Sequence, residues 1–532
     1  MSSSTDVAGR PSPWAPFRYH AFTLLWTAAL ISNVGTWMHE VGAGWLMTTL
    51  SPSPGVVALV QAATTLPVFL FALFAGALAD RLDKRKMLIV INVLMLAVAL
   101  ALAVLVQAGA MTPVLLIVFT FLIGTGAAFM APAWQAVVPA LVPRDTLQPA
   151  IALNSMGINI SRAIGPALAG VLIASVGLAS PFFVNALSFI AIIAALVLWR
   201  PEASAKKATQ QPILAAMATG LRHVRHNPPM RATLVRALAF FFFASAYWAL
   251  LPLVARSIPG GGAELYGILL TLVGAGAVGG ALILPGLRAR YDANTTAAAG
   301  ILGTGVAILL MASAWRAEMA MAGSLLGGLA WITVLTTFHV SAQTALPNWV
   351  RARGLSVFLM VFFGSMALGA TVWGQIASLT SPMVSMLLAA AGLIIGLPFV
   401  QRYRLGQAEG LDLTPASLWP AAPIVAEDDG AHSDKGPVMV TIEYDVSPLQ
   451  VTAFLEAIHA LSGERLRDGA YGWQVYRSVE DEGRWIEAFW LTSWQDHLDQ
   501  HDRATEEDAH LRDSVRAFDQ NGAPRIRHFI AP

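Results

Sequence analysis

Apolar residues run in blocks of about twenty from Phe22 to Val400, separated by short polar connections, and the pattern changes after Gln401. A bilayer core of about 30 Å needs roughly 20 helical residues to cross it. Measured against that length, the chain predicts twelve spans, at 21–48, 56–79, 87–107, 113–133, 149–176, 181–199, 234–255, 265–285, 295–314, 318–339, 354–378 and 383–401. From Gln401 to about Gly436 the chain is rich in Pro, Ala, Gly and acid, which reads as a linker. Beyond it Val438 to Val446 alternates as a strand, and Leu449 to Leu466 has helical spacing with Val451, Phe454, Leu455, Ile458 and Leu461 on one side. Tyr471 to Val479 and Arg484 to Thr492 read as strands around a turn at Asp481 to Gly483, Trp494 to Phe518 as one long charged helix, and Arg525 to Ile530 as a closing strand. The order βαββαβ predicts a ferredoxin-like sandwich. The expected fold class is thus an all-α polytopic membrane protein followed by a small α+β ferredoxin-like domain.

Composition agrees, with 56% hydrophobic and 12% charged residues and a mean hydropathy of +0.62, where soluble domains carry about 25% charge. The net charge of +1 says little about partners, no nucleic-acid partner is expected, and the absence of cysteine removes disulfides, thiolate metal sites and thiol nucleophiles. No short apolar core ending at a small-residue cleavage site precedes the first span, so no cleavable signal is expected. Lys and Arg then set the orientation, because short cytoplasmic loops retain them. Arg10, Arg18, Arg81, Lys84, Arg85, Lys86, Arg144, the 200–233 connection, Arg288, Arg290, Arg351, Arg353, Arg402 and Arg404 fall on one side, against Arg256 and Arg316 on the other. Both termini are therefore expected in the cytoplasm. The organisation that follows is a segment at 1–20, a six-helix half at 21–199, a central loop at 200–233, a second six-helix half at 234–401, a linker at 402–437 and the ferredoxin-like domain at 438–532. QAVVPALV from Gln135 and QTALPNWV from Gln343 share their internal Gln, Pro and Val spacing at the exit of the fourth span of each half, as an internal repeat predicts.

The stretch Gly76 to Lys86, GALADRLDKRK, ends the second span. An acid at a helix carboxyl end opposes the dipole unless a partner neutralises it, and Asp80 sits there. This loop resembles the one between the second and third spans of the major facilitator superfamily, roughly G-x-L-x-D-R-x-G-R-R/K, with Asp83 standing where glycine is usual. The resemblance implies transport by alternating access, with Gly76, Asp80, Arg81, Lys84 and Arg85 in conformational gating. Ala131 to Gly170 resembles the fourth-to-fifth span region of the branch containing enterobactin exporters and transmembrane secretion effectors, and Gly165, Pro166 and Gly170 approximate its antiporter motif. Physically, small residues let helices approach closely, and a proline leaves a carbonyl unpaired one turn earlier.

Ionisable residues within the spans carry the candidate chemistry. Arg162 lies near the middle of the fifth span, where facing lipid costs about 2.5–3.5 kcal/mol, so it must face protein or a cavity. Asn154, Ile158, Arg162 and Gly165 share a helical face flanked by Asn159 and Ser161. In the first span Asn33 and Trp37 precede His39 and Glu40. Glu40 is the expected proton carrier and Arg162 its charge partner or an anion ligand; structural readings of both stay open, and His39 reads as a packing residue. Gln61, Asn92, Asn185 and Gln375 are weaker candidates, and Trp45, Phe240 to Phe243, Tyr247 and Trp248 could line an apolar pocket.

The tail resembles the antibiotic-biosynthesis monooxygenase-type domain found on some members of the same exporter branch, which implies sheet-to-sheet pairing and so a homodimer. His497 and His501 have a spacing that can bind metal, without an HExxH arrangement. A regulatory or self-associating module is the expectation, with no metal or other cofactor. There is no Walker A sequence, so ATP hydrolysis by this chain is not expected. The sequence thus points to a non-enzymatic secondary exporter of small amphipathic compounds in a cell membrane, with a proton antiport drive. A siderophore exporter and a membrane-anchored monooxygenase-like enzyme are the alternatives.

Overall fold

The computed structural model describes residues 12–200, 213–406, 436–522 and 524–531, together with 408, 410–414 and 416. The first six long helices are α1 (His20–Leu50), α2 (Pro54–Arg81), α3 (Lys84–Gln107), α4 (Pro113–Val137), α5 (Leu147–Ser175) and α6 (Ser180–Leu198). A shorter helix, α7 (Ile213–Arg225), precedes α8 (Pro228–Ser257), α9 (Ala263–Arg288), α10 (Ala293–Ala312), α11 (Ala317–Thr344), α12 (Arg351–Leu379) and α13 (Pro382–Val400). Twelve of these are long and apolar enough to cross a membrane, in agreement with the hydropathy pattern.

Local chemistry sets the helix starts. Pro54, Pro113 and Pro382 open α2, α4 and α13, where a missing N–H costs nothing. Thr112 and Ser381 cap α4 and α13 with their hydroxyls. Asp83, the departure from the family loop, caps α3 by accepting from Lys86 N at 2.8 Å.

The chain divides into two compact units. The first holds residues 1–210, 236–338 and 359–402. In it α1 packs on α5 and α6, α2 on α4, α3 on α4 and α6, α10 on α13, and α5 on α9 across the two halves. Phe22, Leu25, Leu88, Phe189 and Leu196 form part of the first half's core.

The second unit holds residues 211–235, 339–358 and 403–532. Its sheet consists of β1 (Val438–Asp445), β2 (Gly472–Arg477), β3 (Arg484–Leu491) and β4 (Arg525–Ile530), in the order β2-β3-β1-β4 with every pair antiparallel. The helices are α14 (Val451–Asp468), α15 (Trp494–Arg503) and α16 (Glu506–Arg516). This is the ferredoxin-like topology the pattern predicts. Val438, Val440, Ile442 and Tyr444 point to one face and meet Phe454, Ile458, Leu461 and Val515.

Two expectations need correction. The helix expected over 494–518 breaks at Ala504, because Thr505 and Asp508 form a capping box that starts α16. The 200–233 connection is not wholly polar loop: α7 forms at 213–225, and α8 begins at Pro228, where Asn227 Oδ1 accepts from Met230 N at 3.0 Å.

The core of the small domain contains a fully buried carboxylate. Glu487 accepts from Arg465 Nε at 3.0 Å, Trp473 Nε1 at 3.0 Å and Tyr444 Oη at 3.1 Å. Burial, and next the Glu487 charge, hold the Tyr444 hydroxyl well above its ordinary pKa, so Tyr444 remains a donor. Removing one member of a buried pair leaves the other charge uncompensated, at about 3–5 kcal/mol. Glu487→Ala is therefore expected to lower the opening free energy of β1 and β3 by about that amount in hydrogen exchange on the full chain. Glu443→Ala, which loses only partly solvated pairs with Arg484 and Arg527, should cost under about 1 kcal/mol.

Candidate functional site

The first half presents α1 and α5 as a stitched pair. Trp26 Nε1 donates to Leu153 O at 2.9 Å, and Ser161 Oγ donates to Leu30 O at 3.3 Å. Gly165 lets α5 approach, since a Cβ there would lie 2.6 Å from Trp37 Cβ. This seam sets the Arg162 guanidinium 5.2 Å from the Trp37 ring centroid, where its charge acts on Glu40, one turn further along α1. Among the described residues Glu40 makes no hydrogen bond, and Arg162 Nε has none either.

Glu40 and Trp37 line a cavity of about 50 Å³ together with Gln61 of α2, Trp248 of α8, and Tyr266 and Leu270 of α9. The cavity draws its walls from both six-helix halves. A space of that size holds water beside a carboxylate. Trp45 stacks on Tyr266 at 6.3 Å between centroids, so the aromatic wall continues along α1.

The remaining expected residues are placed elsewhere. Asn33 is half-buried and does not line the cavity. Asn154 Oδ1 accepts from Trp134 Nε1 at 3.1 Å, and Asn159 Nδ2 donates to Ser155 O of its own helix. His39 is buried edge-on against Phe182 of α6, at 5.2 Å between centroids, as a packing residue would be. Phe240 and Phe241 pack on Trp331 and Phe338, and Phe242 and Phe243 on Trp373, which leaves Trp248 as the cavity member of that aromatic run.

The two halves meet along α5–α9 and α2–α12. A Cβ at Gly267 would lie 2.5 Å from Pro166 O, one at Gly170 2.9 Å from Ala263 O, and one at Gly274 3.4 Å from Arg162 O. Pro166 has no N–H to offer Arg162 O, its partner one turn back, and that carbonyl faces Gly274. Gly55 N donates to Ser378 Oγ at 2.7 Å. These contacts lie toward the helix ends that carry the 51–53, 258–262 and 380–381 connections. Toward the opposite ends Gly76, Gly279 and Gly286 have nothing within 4 Å of a Cβ position, and Leu282 is 78% exposed.

At the end of α2, Arg81 is exposed and the Asp80 side chain lies outside the described residues. Lys84 opens α3. Arg85 donates to Leu196 O and Val197 O at 2.7 Å each, closing the end of α6 in its own half. Tyr266, Gly267, Gly274 and Ser378 are not among the residues expected from sequence. The seven-residue spacing of Gly267 and Gly274 is the available signal for close helix approach. In the small domain His497 lies between Trp494 and His528, whereas the His501 side chain is outside the described residues. Among the described residues no group of three or more His, Asp or Glu side chains is placed to hold a metal ion.

Two six-helix halves that meet along α5–α9 and α2–α12 and share a cavity lined by Glu40 have the arrangement of a major facilitator transporter. The chain belongs to the transmembrane secretion effector family, whose model matches residues 11–532. It is 26% identical over 265 residues to the staphyloferrin A transporter of Staphylococcus aureus (strain NCTC 8325 / PS 47), covering 49% of this chain and 65% of that protein. It is 25% identical over 369 residues to the multidrug efflux pump Tap of Mycolicibacterium fortuitum, covering 66% of this chain and 88% of the pump. The crystal structure of the nucleoside transporter NupG superposes with a TM-score of 0.57 at 13% identity, over 72% of this chain and 99% of that one.

The tight α5–α9 contact gives a contrast to measure. Overpacking costs about 1–3 kcal/mol, so Gly267→Leu should strongly reduce dye efflux from cells at equal membrane abundance. Gly279→Leu, with open space at its Cβ, should retain efflux near the parent level.

Proposed function

We propose that this protein is a secondary active exporter of small amphipathic compounds, driven by proton antiport through alternating access in a bacterial plasma membrane with both termini cytoplasmic. The observation that carries the proton reading is Glu40, an acid without a hydrogen-bond partner among the described residues, on a cavity shared by both halves and in the field of Arg162. Protonation removes the attraction between Glu40 and Arg162, and deprotonation restores it, so proton occupancy and substrate occupancy can exclude one another at one place. Each charge moved down the membrane potential supplies about 2.3 kcal/mol per 100 mV. With the termini cytoplasmic, the contacts along α2–α12 and α5–α9 lie toward the outer surface, which supports an inward-open reading of this arrangement.

Trp37, Trp248 and Tyr266 give the cavity an aromatic wall suited to amphipathic compounds. The relative named as a multidrug efflux pump supports the export of small molecules. The staphyloferrin A relative favours a second reading, export of an anionic siderophore, for which Arg162 is the anion ligand. We assign the small domain an associative and regulatory role without catalysis. The sheet face away from its helices, where Met439 lies in register with Trp490 and Phe529 and Ile486 lies opposite Glu443, suits pairing with a second copy.

In proteoliposomes with an imposed pH gradient, Glu40→Gln is expected to abolish gradient-driven accumulation of ethidium while leaving passive equilibration. Unchanged accumulation removes Glu40 from the mechanism. Arg162→Gln separates the substrate readings: loss confined to carboxylate siderophores supports the second, and loss of ethidium transport supports the first.

A further inference from the structure

We propose that the C-terminal domain restrains the transport cycle, clamped through Trp349 onto the turn between α11 and α12 so that it favours the arrangement in which α2 and α12 touch. The second unit contains every part of this clamp. The Trp349 ring lies edge-on to His223 of α7, at 5.2 Å between centroids and 89° between planes, and the Arg503 guanidinium of α15 stands 5.1 Å from its centroid. Arg503 is itself fixed, by Nη1 donating to Asp468 O at 2.8 Å and Nη2 to Asp499 Oδ2 at 3.1 Å. The same turn is tied to the start of α8 by Asn227 Nδ2 donating to Ala345 O at 2.8 Å. Leu411 and Leu413 of the linker close a cavity of about 40 Å³ with His223, Asn227, Pro347 and Asp468.

The two segments expected to repeat differ at the clamped position. In QAVVPALV and QTALPNWV, Trp349 corresponds to Leu141. Leu141 is buried in the core of its own six-helix half. The small domain thus engages one of two equivalent turns, and the engaged turn carries the large aromatic residue.

A contact shifts an equilibrium only when it differs between the two states. The first residue of α12, Arg351, lies two positions after Trp349, and its far end meets α2 at Gly55 and Ala58. For the clamp to act in this way, parting α2 from α12 must tilt α12 about its start. That start has no slack, because the Gly220 backbone lies so near that a Cβ there would be 2.8 Å from Arg353 Cβ. Tilting therefore strains or breaks the contacts of α7 and Trp349, and the docked domain holds α2 and α12 together.

The proposal goes beyond the exporter reading, and its test needs no transported compound. The chain has no cysteine, so Ser378→Cys places a single thiol at the α2–α12 contact. The purified full chain carrying it is labelled with a maleimide, and hydrogen exchange of α7 is followed in parallel. Adding Trp349→Leu is expected to raise exchange in α7 and to speed labelling about fivefold. Trp349→Phe keeps a ring and should leave both unchanged. Where the Leu variant is not recovered, Arg503→Gln takes its place with the same expected pair of results. Faster exchange in α7 with unchanged labelling overturns the proposal, as does unchanged exchange, or a Phe variant that behaves like the Leu variant.

Discussion

A guanidinium inside a helix bundle must be held by protein, and here one residue serves two surfaces at once. The Arg162 side chain turns toward Trp37 and Glu40 of α1, while its carbonyl, released from helical pairing by Pro166, faces Gly274 of the other half. The charge site and the contact between halves therefore share one turn of α5. A change in the charge balance at Glu40 acts directly on the helix that carries the contact. The α1–α5 seam, with Trp26, Ser161 and Gly165 at its closest points, keeps that turn from absorbing the change by drifting.

The sequence exposed those features that follow from solvent and from periodicity. Twelve spans were legible because lipid permits no long polar interruption, and the ferredoxin-like order because its strands alternate on a two-residue period. Glu40 and Arg162 stood out because ionisable groups are costly at that depth, and in the structure the Arg162 charge acts on Glu40. Asn154 and Asn159 stood out for the same reason, yet each is engaged by Trp134 or by its own helix, which polarity alone does not reveal. Tyr266 was hidden because an aromatic residue near a span end ordinarily marks the interface. Gly267 and Ser378 were hidden because close approach depends on a partner helix distant in sequence. The split at Thr505 was present as a Thr-x-x-Asp signal inside a run of charges that otherwise reads as one helix.

The small domain is built on the opposite economy from the membrane helices. Its core admits Glu487 and Arg465, satisfied by Tyr444 and Trp473, whereas the cavity between the halves leaves Glu40 without a hydrogen-bond partner among the described residues. A fully satisfied buried network rigidifies the core around it. Among the described residues Glu40 has no such network to hold it, and the proton role proposed for it rests on that contrast.

In the mechanism proposed above, Glu40 is the group that exchanges a proton for substrate. Purified full-length protein in weakly buffered solution with a pH indicator reports such an exchange without a membrane gradient. Adding ethidium should release protons from the parent protein and none from Glu40→Gln, which still binds the dye by fluorescence. Equal release from the two proteins would contradict the assignment of Glu40.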